Sequence, residues 1–217
     1  MDWPGHGASG QDIQPASARR YAVLLMGLLD ALALERPILF GNSIGGAAAL
    51  TVASENPGRV RALVLSNPGG LDPGDLLARL FIDHLVSQFR RGAAGEVSFL
   101  DWYRNYYASI LLGSEAAARR DAIVAAGYES APRLTEACTS FARPEADLRS
   151  GLKDLQMPVF IGWAMRDGLV RWSRNRSAIA SLPGAKVVQF ANSGHAPFLE
   201  ESSAFNAAVS PFLDALP

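Results

Sequence analysis

Apolar residues fall into four short runs, at 37–40, 62–65, 158–161 and 186–190. None alternates in and out like a half-exposed strand, so each reads as a buried strand of a parallel sheet covered on both faces. Between the runs the spacing becomes helical. Residues 18–34 carry Val23, Met26, Leu29 and Leu32 on one stripe, and 45–55 is alanine-rich and stops before Pro57-Gly58. Helical stretches at 174–181 and 203–216 complete the set. Strands alternating with helices through right-handed crossovers predict a doubly wound α/β sheet.

The alternation stops between residues 71 and 150, which read as helices only. Asp72-Pro73 suits an N-cap and first turn, followed by an apolar stripe of Leu76, Leu77, Leu80, Phe81 and Leu85. Further helices are predicted over 99–111 and 115–126. The chain thus divides into an α/β core, 1–70 with 151–217, and an all-helical cap, 71–150, over the sheet's edge. The cap's apolar residues serve packing first; Trp102, Tyr103 and Tyr106 are the candidates for also lining a substrate cavity.

Composition narrows the partners. A chain of 217 residues, 49% hydrophobic, can bury a sizeable core as one domain, and its net charge of −1 comes without a clustered basic face for nucleic acid. No apolar stretch approaches the ~20 residues of a membrane span, and the first residues lack a secretory signal. The default compartment is therefore the cytoplasm. The single cysteine, Cys138, excludes an intrachain disulfide and sits among helical apolar residues, as a small core or lid residue does.

Gly41-Asn42-Ser43-Ile44-Gly45 has the form G-x-S-x-G, between an apolar strand and a helix. That context defines a nucleophile elbow. The turn is so tight that side chains two residues either side of the serine would meet backbone, which glycine avoids. It strains the serine and lifts its hydroxyl above the carboxyl ends of the strands. The Ile44 amide, at the helix N-terminus, is then placed to donate to a developing oxyanion. Gly46 and Ala47 keep the helix close to the sheet.

A serine nucleophile needs a base. Of three histidines, His6 lies in a Pro-Gly-His-Gly loop and His84 within a cap helix, whereas His195 follows the last strand. His195 is the expected base. The orienting acid should lie between serine and histidine in chain order, on a loop at the same sheet edge. Asp167 follows the strand at 158–161; Asp154 precedes it and falls at the wrong end.

With these residues placed, the chain resembles the α/β-hydrolase superfamily from end to end. Asp2-Trp3-Pro4-Gly5-His6-Gly7-Ala8-Ser9 looks like the D-x-P-G-x-G-x-S loop of that family. The segments at 41–46 and Asn67-Pro68-Gly69-Gly70-Leu71 look closest to the meta-cleavage-product hydrolases. Those enzymes split carbon–carbon bonds in vinylogous diketones without a cofactor or metal. The resemblance implies a polar pocket role for Asn42 and makes Arg119 and Arg120 the candidates for gripping a substrate carboxylate. Ala196 departs from the tryptophan that often follows the catalytic histidine, and a simple ester hydrolase fits the same residues.

Family members carry strands, and a second oxyanion donor, before the D-x-P-G-x-G loop with which this sequence begins. The expectation is a partial α/β-hydrolase fold whose first strand lies at an open edge, with pairing to another copy as one outcome. The competing reading, from a different class, is a catalytically silent binding protein on the same fold.

Overall fold

The computed structural model describes residues 1–217. Strands β1 (Ile38–Asn42), β2 (Ala62–Ser66), β3 (Val159–Ala164) and β4 (Lys186–Phe190) form one parallel sheet in the order β1-β2-β3-β4. All four carboxyl ends therefore share one rim. The inner strands β2 and β3 are buried along their length. The outer ones are not: Ile38 and Phe40 on β1, and Lys186, Val187 and Gln189 on β4, are exposed. Coverage on both faces thus holds for the inner pair only, because an edge strand has a neighbour on one side alone.

Helix α1 (Ala18–Ala31) starts at Ser17, whose hydroxyl accepts from the Arg20 amide at 3.0 Å. It packs against α2 (Ser43–Glu55) on one face of the sheet. The stripe it buries is Ala18, Tyr21, Ala22 and Leu29, while Val23 and Leu32 are exposed. The expected stripe was therefore rotated: Tyr21, stacked on Trp3 at 4.3 Å, sets the inward face. The main core lies here, with Leu50, Leu63, Leu65, Ile161 and Trp163 at its centre.

Between β2 and β3 the chain forms α3 (Leu76–Ala93), α4 (Phe99–Ile110), α5 (Ala117–Ala125) and α6 (Gly127–Ser140). The N-cap of α3 is Asp75, accepting from Ala78 N at 3.1 Å, not Asp72. Asp72 accepts from Gly74 N in a turn where Gly74 has φ +66°, which delays the helix by three residues. The Asp72 carboxylate instead meets the Arg174 guanidinium at 2.5 and 2.9 Å, tying this insertion to the core. Of the α3 stripe only Leu85 is buried, because the helix meets α4 and α6 from Leu85 onward; Leu76, Leu77, Leu80 and Phe81 are exposed.

Helix α6, absent from the expected elements, is the main partner of α3. It also seats the insertion on the N-terminal loop. Glu136 accepts from Ala16 N at 2.9 Å, and Arg133 donates to Gln14 O at 3.0 Å and to Asp12 O.

After β3 come α7 (Trp172–Ile179), the short α8 (Pro197–Glu200) and α9 (Ser202–Asp214). Phe205 and Val209 of α9 cover the second face of the sheet against Val64, Phe160 and Phe190. No helix is long and apolar enough to cross a membrane.

Candidate active site

The site forms where β1, β2, β3 and β4 end. Ser43 follows β1 with φ +52°, a left-handed conformation that a residue with a Cβ adopts only when its surroundings impose it. The constraint is visible at Gly41, where a Cβ would lie 2.5 Å from the Gly45 carbonyl oxygen. Gly46 is equally confined, with Pro68 Cβ at 2.7 Å from such an atom. Gly45 is not, since its nearest neighbour would be Trp3 Nε1 at 3.8 Å. The tight approach therefore falls on Gly41 and Gly46, one residue later than the sequence pattern implied. As the second residue of α2, Ile44 lies in the first turn, where main-chain amides have no partner within the helix.

His195 stands on the loop after β4 and is buried. Its Nδ1 lies 2.7 Å from Asp167 Oδ2, the acid being on the loop after β3. The two loops are joined by backbone bonds from Met165 N to Phe190 O, 2.9 Å, and from Arg166 N to Ser193 O, 3.1 Å. Asp167 Oδ1 accepts from Leu169 N at 2.7 Å and Val170 N at 2.9 Å. Its Oδ2 also accepts from Asn67 Nδ2 at 2.6 Å. Four donors fix this carboxylate, so its lone pair toward the imidazole points one way.

Asn67 is a site residue that the sequence pattern did not single out. It follows β2 with φ +39° and is wholly buried. Its Oδ1 accepts from Ala164 N at 2.8 Å while its amide nitrogen faces Asp167, so one side chain braces both the end of β3 and the acid. The only sequence signal was an Asn-Pro-Gly-Gly turn at a strand end.

Asn42, the residue before Ser43, ties the end of β1 to the main chain of the His195 loop. The Asn42 amide nitrogen donates to His195 O at 3.1 Å and to Ser66 O at 2.9 Å, so this side chain holds main chain together. The Ser43 hydroxyl itself makes no hydrogen bond to the imidazole, whose Nδ1 is engaged by Asp167. Such contacts are often long in free enzymes and tighten with substrate. Arg119 is exposed, and the Arg120 guanidinium is tied to the carbonyl of Leu111. His84 is exposed, and His6 Nδ1 lies 3.2 Å from Pro4 O.

The insertion carries an aromatic cluster that reaches the loop after β3. Tyr103 is buried, 3.4 Å from the Ser130 hydroxyl, and serves packing. Trp102 stacks on Tyr106 with centroids 5.1 Å apart. Burial pushes the Tyr106 hydroxyl well above its usual range, and Cys138 and the charge of Asp167 add to this. Leu169, on the loop that binds Asp167, packs against the same aromatic cluster. Burial also pushes the Cys138 thiol up to about 12, so it is no competing nucleophile. No group of three His, Cys, Asp or Glu residues could hold a metal ion.

Comparison with known proteins identifies the family. Residues 1–202 match the alpha/beta hydrolase fold family. A 2-hydroxy-6-oxononadienedioate/2-hydroxy-6-oxononatrienedioate hydrolase 2 of Pseudomonas putida is 30% identical over 216 residues, covering 98% of this chain and 75% of that protein. A pimeloyl-(acyl-carrier protein) methyl ester esterase of Xanthomonas campestris pv. campestris is 29% identical over 224 residues, covering 100% and 84%. An esterase from Exiguobacterium antarcticum superposes with a TM-score of 0.83 at 17% identity, over 99% of this chain and 80% of that one. The chain belongs to the α/β-hydrolase fold family, and it is a hydrolase.

Proposed function

We propose that the protein is a serine hydrolase of small carbonyl compounds. Ser43 is the nucleophile, His195 the general base and Asp167 the residue that fixes the imidazole tautomer and stabilises the imidazolium. The observation that carries this reading is the buried His195–Asp167 pair, at 2.7 Å, at the same sheet rim on which β1 ends in a serine held at φ +52°. The imidazole Nδ1–H is committed to the carboxylate, which leaves Nε2 as the basic nitrogen. It takes the Ser43 proton as the hydroxyl attacks the carbonyl carbon. The oxyanion so formed is met by the Ile44 amide at the positive end of α2, and His195 then returns the proton to the leaving group.

Two substrate classes fit this machinery. The Pseudomonas putida relative supports cleavage of a carbon–carbon bond in a vinylogous diketone, in which His195 first helps shift a proton on the dienol. An ester is the second class, in line with the Xanthomonas campestris relative: the Arg120 guanidinium is engaged by the Leu111 carbonyl and so is not free for a substrate carboxylate. Asn42 contributes through the placement of His195, its amide being bound to main-chain carbonyls.

Parallel assays with p-nitrophenyl butyrate and a 2-hydroxy-6-oxodienoate test the proposal. Turnover of either, abolished in His195→Ala, is expected, and which one is turned over assigns the class. A folded protein that binds a dienoate and turns over neither would favour the silent binding protein.

A further inference from the structure

Glu200, five residues beyond His195 at the end of α8, is buried, and its carboxylate is surrounded by main-chain donors. Oε1 accepts from His195 N at 2.9 Å and Ala196 N at 2.8 Å. Oε2 accepts from Gly194 N at 2.8 Å, Leu112 N at 2.6 Å and Gly113 N at 3.1 Å. Burial alone would push this carboxyl up. The amides of Gly194, Ala196, His195 and Gly113 outweigh it and hold the group below the usual glutamate range.

The five donors come from two segments far apart in sequence. Three are consecutive residues around His195, and two lead out of α4. The segments are in close contact: a Cβ on Gly194 would lie 2.3 Å from the Ile110 carbonyl oxygen, and one on Gly113 would lie 2.8 Å from the Glu200 carbonyl oxygen. Arg120 holds the Leu111 carbonyl one residue before the first α4-side donor. Asn42 holds the carbonyl of His195, whose amide Glu200 holds. The main chain of the base is thus gripped on both sides, and a single buried anion joins it to the helical insertion. Hydrogen bonds to an ionised acceptor are the stronger kind, and breaking them would leave buried donors unpaired.

We infer that Glu200 is a positioning residue that locks the His195 loop to the exit of α4, so that the aim of the imidazole and the seat of the insertion on the core are coupled. This inference deepens the triad reading and rests on it. Small errors in placing a catalytic group are costly, since a displacement of ~1 Å can remove about 10²-fold in rate.

The test compares the unaltered protein with Glu200→Gln and Glu200→Ala. An amide keeps one acceptor oxygen and turns an NH2 toward two or three N–H donors, so Glu200→Gln loosens the joint at nearly constant volume. With p-nitrophenyl butyrate, or the dienoate if that is the substrate, kcat is expected to fall about 10–100-fold with KM within about twofold. The downfield proton resonance of His195 Nδ1–H is expected to broaden or vanish in Glu200→Gln, while the amides of β2 and β3 stay protected from exchange.

A measurement on the unaltered chain covers the case in which neither variant folds. The amides of Leu112, Gly113, Gly194, His195 and Ala196 should exchange with deuterium slowly and as one group. A folded variant with an unchanged Nδ1–H resonance, or fast and unrelated exchange of the two segments, would overturn the inference. Absence of turnover in the unaltered protein counts against the triad reading alone, because the resonance and the exchange rates still report on Glu200.

Discussion

Replacing Asp167 with Asn is expected to lower kcat by about 10³–10⁴-fold, with KM changed by no more than a few-fold. The reason lies in the four donors around the carboxylate. An amide nitrogen at the Oδ2 position would confront the Asn67 amide and the His195 Nδ1–H together. The imidazole could then satisfy it only by moving its proton to Nε2, the nitrogen that must receive the serine proton. With the amide turned over, its NH2 would face the Leu169 and Val170 amides and loosen the loop. Neither orientation preserves both the tautomer and the loop. Steady-state kinetics beside a thermal melt separates the two effects: kcat falls in a protein that still folds. Activity within tenfold of the unaltered protein would mean that the acid is not Asp167.

The second large effect concerns the elbow, and it discriminates between two glycines that look equivalent in the G-x-S-x-G pattern. Gly41→Ala places a Cβ 2.5 Å from the Gly45 carbonyl oxygen and 2.7 Å from the Gly46 Cα, all of it backbone that a side-chain rotation cannot clear. Overpacking of this kind costs about 2–3 kcal/mol or more. For a chain of this size that is a fall of roughly 5–10 °C in Tm, with activity reduced as Ser43 is displaced. Gly45→Ala meets only the Trp3 ring, at 3.8 Å and beyond, and gains helix propensity, so its Tm should stay within about 3 °C of the unaltered protein. Equal effects of the two substitutions would mean that the turn is not built as described.

What the sequence revealed and what it hid divide along a physical line. The tight turn at Ser43 and the pairing of His195 with Asp167 were legible because each depends on a residue type at a fixed place in a strand–loop or strand–turn–helix pattern. Strands β2 and β3 were legible because burial on both faces leaves an unbroken apolar run. The open faces of β1 and β4 were not, since a run of apolar residues looks the same at the edge of a sheet as at its centre. Helix α6 was missed for a local reason: Pro132 lies inside it, and Gly127-Tyr128-Glu129-Ser130 offers little apolar periodicity. Its partners, α3 and the N-terminal loop, stabilise it through contacts that no local window contains.

Asn67 and Glu200 were hidden for a deeper reason. Both act on main-chain groups and on the surroundings of Asp167 and His195, and such acceptors and donors are set by tertiary approach. Nothing in the spacing of residues 112 and 113 foretells that their amides meet a carboxylate near residue 195. The same holds for Arg120, which resembles a substrate ligand by position in the chain yet closes on the Leu111 carbonyl.

The central claim, that Ser43 is an activated nucleophile served by His195 and Asp167, is tested most directly by treating the protein with a fluorophosphonate probe and locating the adduct by mass spectrometry. One modified residue is expected, Ser43, with labelling abolished in Ser43→Ala and strongly slowed in His195→Ala. Labelling that persists at another residue in Ser43→Ala, or a folded protein that takes up no probe at all, would contradict it.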